Sequence, residues 1–193
     1  MNFIQHSELR DKHAFLGGSN YEWINYTPEH LIDRWHSMEA KELGTLKHAY
    51  AAMAITLGQK QADKKLTLGR YINDGIGFRM TPEVTLKVSD VAFGTADTIS
   101  YRKETVPERG QINVLRIHDL KTGVVPADMR QPMIYAAFFC IEYRVNPFDI
   151  YTELRIYQNN DVLVYIPDPQ EIKNVIDTTL KFSPMILQER LKG

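Results

Sequence analysis

Apolar positions along this chain follow two periods, and the change between them divides the sequence into elements. Thr27-Pro28-Glu29 reads as a helix start, with Thr as cap and Pro at the first position. Leu31, Ile32 and Trp35 continue it, and Gly44 is an expected break. After Thr45, Leu46, Tyr50, Met53 and Leu57 recur at helical spacing and predict a buried stripe. His48, Ala51, Ala52 and Ile55 make a second stripe whose mostly small side chains let a helix approach a sheet closely, and Gly58 ends the helix. Asp63 opens a further helical stretch over 64–78, weakened by Gly69, Gly75 and Gly77, with 71–75 as a turn or flap. From Thr81 the period falls to two. Strands are predicted over 83–88, 91–101 and 112–123, joined by a Ser89-Asp90 turn and a charged, exposed loop over 102–111. A helix over 127–143, a strand over 149–157, a turn and a short buried strand over 162–166 follow. Asp168-Pro169-Gln170-Glu171 caps a last helix bearing Ile172, Val175, Ile176 and Leu180, which Pro184 separates from the tail. The order predicts an α/β fold with a mixed central sheet flanked by helices.

The alternation also exposes the chemistry. In the strand at 91–101, Val91, Phe93, Thr95, Asp97, Ile99 and Tyr101 fall on one face, so a carboxylate interrupts a largely apolar row. In the next strand Leu115, Ile117, Asp119 and Lys121 share a face and end at Thr122-Gly123. Charges placed so are costly unless paired or bound to an ion. Two carboxylates on neighbouring strands with a lysine beside them suit a divalent cation and an activated water. The acid-x-Lys triplet alone says little. The chain has four: Glu39-x-Lys41, Asp63-x-Lys65, Asp119-x-Lys121 and Glu171-x-Lys173. Only Asp119-x-Lys121 ends an alternating strand and has a second inward aspartate just upstream. An Asp119–Lys121 salt bridge with Asp97 capping a turn is the purely structural account. Glu83 reads as an exposed strand end able to add a carboxylate.

Length and charge bound the function. At 193 residues the chain is expected to be a single domain with a sizeable core. No apolar run approaches the roughly 18 residues that span a membrane, and Met1-Asn2-Phe3-Ile4-Gln5-His6 lacks a signal-peptide pattern, so a cytoplasmic protein is expected. Cys140 is the single cysteine, expected in the core; one thiol cannot supply an intrachain disulfide or a four-cysteine iron–sulfur cluster. A net charge of -1 excludes a strongly basic nucleic-acid binder and leaves local tracks, Lys60, Lys64, Lys65 and Arg70, or Arg102 and Lys103. Tyr21, Trp23 and Tyr26 could stack on bases of a single-stranded end.

Gly94-Thr95-Ala96-Asp97, then Asp119-Leu120-Lys121-Thr122-Gly123, then Gln131-x-x-x-Tyr135-Ala136, preceded by Gly44-x-x-x-His48, resembles the PD-(D/E)XK nuclease superfamily, in its RecB-like and phage-exonuclease branch. The four motifs occur in the family's order over about residues 40–140. The opening, 13–19 followed by Trp23, is a weaker likeness to phage-encoded members. The resemblance implies a single nuclease domain over 1–193, its αβββαβ core at about 40–166, with helical additions at both ends. It implies a DNA nuclease using Mg²⁺ or Mn²⁺, leaving a 5′-phosphate, with Asp97, Asp119 and Lys121 catalytic. His48, Asp97, Asp119 and the Leu120 carbonyl would hold the metal. Gln131 and Tyr135 would contact substrate or order the lysine. The implied partners are DNA, further copies in a ring, and a single-strand annealing or recombination protein, with no membrane. Exonuclease action on linear DNA is expected; an endonuclease on the same fold or a non-catalytic DNA-end-binding module are the alternatives.

Overall fold

Five strands form one mixed sheet in chain order: β1 (Thr81–Ser89), β2 (Ala92–Val106), β3 (Gly110–Leu120), β4 (Ile150–Gln158) and β5 (Asp161–Tyr165). They are seen in a computed structural model that describes residue 7 and residues 13–192. Met1–His6 lies outside the described residues. The chain divides into two compact units, Met1–Gly44 and Thr45–Gly193. The first contains a 3-10 turn, Tyr21–Asn25, in which Trp23 Nε1 donates to the Gly17 carbonyl at 3.1 Å, and the ring of Tyr26 stacks on His30. The second contains the sheet.

Neighbouring strands are antiparallel except β3 and β4, which are parallel. A parallel pair needs a long crossover, and the segment containing α3 (Arg130–Glu142) supplies it. Because side chains alternate, β3 feeds two cores. Leu115 and Ile117 pack with Leu86, Leu154 and the α3 residues Met133 and Phe138, joined by Ile172 of α4 (Pro169–Arg190). Leu120 and Tyr157 pack on the other side with Ala51, Ala54 and Ile55 of α1 (Pro28–Thr56) and with Tyr71 and Ile72 of α2 (Thr67–Gly77). Cys140 is a free, buried thiol in the first core, and burial pushes its pKa up to about 12.

An ionic network holds α2 to its face of the sheet. Arg116 pairs with Glu104 at 2.6 Å and with Glu153 at 3.2 Å; Arg155 joins Glu153 to Asp74 of α2. Tyr157 donates to Asp74 at 2.6 Å, and its oxygen meets His118 Nδ1 at 3.2 Å. Both guanidinium groups stack on Phe78. Burial, then the charges of Arg155 and Arg116, depress the His118 pKa well below 6.5, so this histidine is neutral.

Several expectations need correction. α1 runs unbroken through Gly44, since one glycine costs a helix only about 1 kcal/mol. Leu46, Tyr50, Met53 and Leu57 are exposed, and the small-residue stripe faces the core. Periodicity finds both stripes; the closeness of the helix to the sheet selects the smaller one. Gly58, at φ +67°, closes α1 in a Schellman motif, with the Gln59 amide on the Ala54 carbonyl. α2 begins at Thr67, not 64, because Asp63 Oδ1 captures the Lys65 and Leu66 amides in a turn. Residues 71–75 are helical, not a flap. The charged stretch 102–111 is mostly strand: pairing continues from Arg102↔Val114 to Val106↔Gly110. An antiparallel ribbon tolerates charges on its open face. β5 is a largely exposed edge strand, not a buried one. α4 continues past Pro184 to Arg190.

Truncating the centre of the core should separate the two kinds of apolar position. Leu154→Ala, at a fully buried site, is expected to cost about 2–5 kcal/mol. Leu46→Ala, on the exposed stripe, should stay within about 0.5 kcal/mol of wild type. Urea unfolding of both variants checks this.

Candidate metal centre

The centre begins where β2 leaves β3. The ladder is regular up to Thr98↔His118 and then stops, although β3 continues to Leu120. In place of a strand carbonyl, Asp97 Oδ2 accepts the Leu120 amide at 2.8 Å. The pairing of β1 with β2 also skips here, between Pro82↔Thr98 and Val84↔Ala96. Glu83, the residue skipped in β1, has φ +53°, a left-handed conformation rare for such a side chain. Side-chain alternation therefore slips by one at Asp97: Ala96 and Ile99 both enter the α3 core. The single row from Val91 to Tyr101 predicted from the sequence does not exist. The slip turns the Asp97 carboxylate to the end of β3.

Three side chains converge there. One ligand atom each from His48, Glu83 and Asp97 lie within 4.8 Å of one another. Two donors on opposite sides of an ion, at bonds of about 2.1–2.4 Å, stand about 4.2–4.8 Å apart, so one divalent cation fits between them. One imidazole and two carboxylates, with no thiolate, make a donor set for a divalent cation. His48 projects from the close-packed face of α1, its Nδ1 at 3.4 Å from Asp97 Oδ2. The hydrogen bond to Asp97 raises the His48 pKa despite partial burial. Burial, then the Asp97 charge, raises that of Glu83.

Asp119 and Lys121 form the second half. Lys121 Nζ donates to Asp119 Oδ1 at 3.1 Å and lies 2.8 Å from Oδ2. The second contact has the distance of an ion pair without the direction of a hydrogen bond, so Asp119 Oδ2 is buried with no donor. Burial, then the Asp97 charge, raises the Asp119 pKa. Lys121 Nζ also donates to Gln131 Oε1 at 2.5 Å, and Gln131 Nε2 donates to the Tyr135 hydroxyl at 3.2 Å. Tyr135 in turn lies against Gly94: a Cβ on Gly94 would stand 2.9 Å from Tyr135 Cε1. Gly94, Tyr135, Gln131, Lys121 and Asp119 thus form a continuous mechanical chain.

All the named site residues of the second unit fall in this region, with changed partners. Asp97 and Asp119 were expected to share one ion with His48 and the Leu120 carbonyl. Glu83 joins His48 and Asp97 in the three-ligand cluster, Asp119 Oδ1 is engaged by Lys121, and the Leu120 amide is held by Asp97. Glu83, read from the sequence as a strand end able to add a carboxylate, is set nearly opposite 97 by the turn at Ser89-Asp90. Tyr71 was missed; it is buried in the core beside the centre, where burial and the charges of Asp97, Asp119 and Glu83 raise its pKa well above 10. Arg70 of the expected basic track is spent on the carbonyls of Lys64 and Asn160. Among the described residues no helix is long and apolar enough to cross a membrane. Comparison with protein-family models, curated proteins and solved structures finds no match.

The raised pKa values fix the pH behaviour. His48 and Asp119 bind protons more tightly folded than unfolded, so each stabilises the metal-free fold below its unfolded value. That contribution is lost as pH rises through the folded value, which for His48 lies above 6.5. The metal-free protein should therefore melt lower at about pH 8 than at about pH 6. Mn²⁺ competes with these protons, and its stabilisation should grow over the same interval. Glu83→Gln should weaken Mn²⁺ binding on the order of tenfold. Thermal melts in EDTA and in Mn²⁺, with calorimetric titration of the variant, test both statements; Mn²⁺ stabilisation that shrinks with pH would contradict them.

Proposed function

We propose that the chain is a divalent-metal-dependent DNA nuclease of the PD-(D/E)XK type, acting as an exonuclease on linear DNA. The observation that carries the reading is the adjacency of two groups on one sheet end. His48, Glu83 and Asp97 form a three-ligand cluster, and Lys121 is held beside it by Asp119 and Gln131. A structural salt bridge accounts for Asp119 and Lys121 alone. It does not account for three further ionisable groups gathered at the same strand ends, with a backbone residue held left-handed to bring one of them in.

When bound, a divalent cation supplies Lewis acidity to the phosphodiester and acidifies a water. The remaining work falls to the chain. Asp97 is fixed by the Leu120 amide, and His48 by its contact with Asp97, so the ligands are set before an ion arrives. Lys121 Nζ is aimed by Asp119 and Gln131, leaving its charge to orient the attacking water and to offset charge growing on the phosphate. Tyr135, seated on Gly94, holds Gln131 in place. Asp119, whose Oδ2 has no hydrogen-bond donor, would offer that oxygen to a bound cation while its Oδ1 holds Lys121. The exonuclease reading follows from the small positive surface: a net charge of -1 favours engagement of an end over gripping a long duplex.

EDTA should abolish cleavage. Asp97→Ala should lose both Mn²⁺ binding and cleavage. Lys121→Ala should still bind Mn²⁺ but cleave at least on the order of 10²-fold more slowly. Linear and covalently closed forms of one DNA, each with Mn²⁺, decide the mode: nucleotides should be lost from the linear form alone. Rapid cutting of the closed circle would establish an endonuclease, and absence of cleavage of either form would remove the nuclease reading.

A further inference from the structure

Beside Lys121 lies a cavity of about 410 Å³ that the reaction proposed above does not use. That volume falls in the range of small-ligand pockets. Its apolar wall is Leu66, Leu68 and Leu120, and Leu66 is half exposed although its side chain is wholly apolar. Lys47 and Lys121 line it, and no carboxylate does. The nearby acids are turned elsewhere: Asp63 Oδ1 takes the Lys65 and Leu66 amides, and Asp161 Oδ1 takes the Val162 amide. Lys47 is half-buried, and among the described residues it has no hydrogen bond or ion pair. A half-buried ammonium over an apolar wall matches a ligand with an anionic group and a flat, weakly polar body.

The cavity is built in advance. Asn159 and Asn160 both have positive φ, as a two-residue type I′ hairpin turn requires. That turn clasps the start of α2: Asn160 Oδ1 accepts the Thr67 amide at 3.0 Å, and the Asn160 amide donates to Thr67 Oγ1 at 2.7 Å. The walls are therefore tied together across a sequence separation of 93 residues. Leu120 and Lys121 belong both to the cavity and to the candidate metal centre, so a molecule in the cavity abuts that centre.

We infer that this cavity is the subsite for the nucleotide flanking the scissile phosphate, with Lys47 on its phosphate and its base against Leu66 and Leu68. The inference rests on the nuclease reading for the identity of the substrate. It names Lys47 and Leu66 as residues that bind DNA and take no part in the chemistry.

The test is binding of a fluorescent oligothymidylate in Ca²⁺, followed by anisotropy over a range of salt, with cleavage in Mn²⁺ measured separately. Lys47→Ala should weaken binding and lower the slope of log affinity against log salt by about one. Leu66→Glu, at a half-exposed position, should weaken binding by roughly tenfold or more. Lys173→Ala, at a lysine paired with Asp177 on α4, should change neither. Melting temperatures of all three should match wild type. Both site variants binding like wild type with an unchanged slope, or a wild type that binds no oligonucleotide, would overturn the subsite. A wild type with the expected binding pattern that cleaves nothing would sink the nuclease reading and leave the cavity as a nucleotide-binding site without a scissile phosphate beside it. Cleavage by both variants at wild-type KM would do the reverse.

Discussion

One hydrogen bond sets the geometry on which the rest depends. When β2 parts from β3, the Leu120 amide loses its strand partner, and a buried amide left alone costs about 1–3 kcal/mol. The Asp97 carboxylate takes that amide at 2.8 Å. The same bond thus terminates the ladder and fixes the orientation of a charged group at the sheet end. The skipped pair in β1, the left-handed Glu83 and the slip in alternation are the local consequences. Strain of this kind costs of order 1–3 kcal/mol and persists where the surroundings enforce it. Here the enforcement comes from regular pairing on both sides of the irregularity.

Electrostatics explains why the arrangement is unfinished without a cation. Glu83, Asp97 and Asp119 bring three carboxylates to one sheet end, with Lys121 as the only permanent cation bonded to them among the described residues. Burial first and the Asp97 charge second raise the values of Glu83 and Asp119, and the hydrogen bond to Asp97 raises that of His48. Protons relieve the excess of carboxylates at low pH and a divalent ion would relieve it at neutral pH. The Arg116, Glu153, Arg155 and Asp74 network lower on the sheet is different in kind: acids and bases alternate there and satisfy one another. Ion-pair number does not distinguish the two regions; balance does.

Much of this was legible in the sequence, for identifiable reasons. The element order and the capped start of α4 follow from period and cap residues, and the pairing of Asp97 with Asp119 from strand alternation, whereas the expectation that His48, Gln131 and Tyr135 join them rests on the resemblance of their motifs. What was illegible required knowing how elements meet. Two stripes on α1 fit the same period, and only docking shows that Ala51 and Ile55 face inward while Leu46 and Met53 do not. Strand parity assumes an uninterrupted ladder, so it misplaced the face of Ala96 and left Glu83 as an exposed strand end that could only optionally add a carboxylate. The charged residues of 102–111 suggested a loop because a solvent-facing ribbon and a loop have similar composition, and the difference lies in cross-strand pairing. The clasp between Thr67 and Asn160 joins residues too distant in sequence for any local pattern to predict.

Cys140 lies 3 % exposed in the core between α3 and the sheet, with its thiol pushed up to about 12. Near neutral pH almost none of it is thiolate, the form that reacts with alkylating reagents. The chain has no other cysteine. Labelling at this sulfur is therefore a clock for opening of the main core: each molecule is marked only when α3 lifts from the sheet. The native protein carries its own single-site probe of breathing motions, requiring no engineered substitution and leaving the charged end of the sheet untouched.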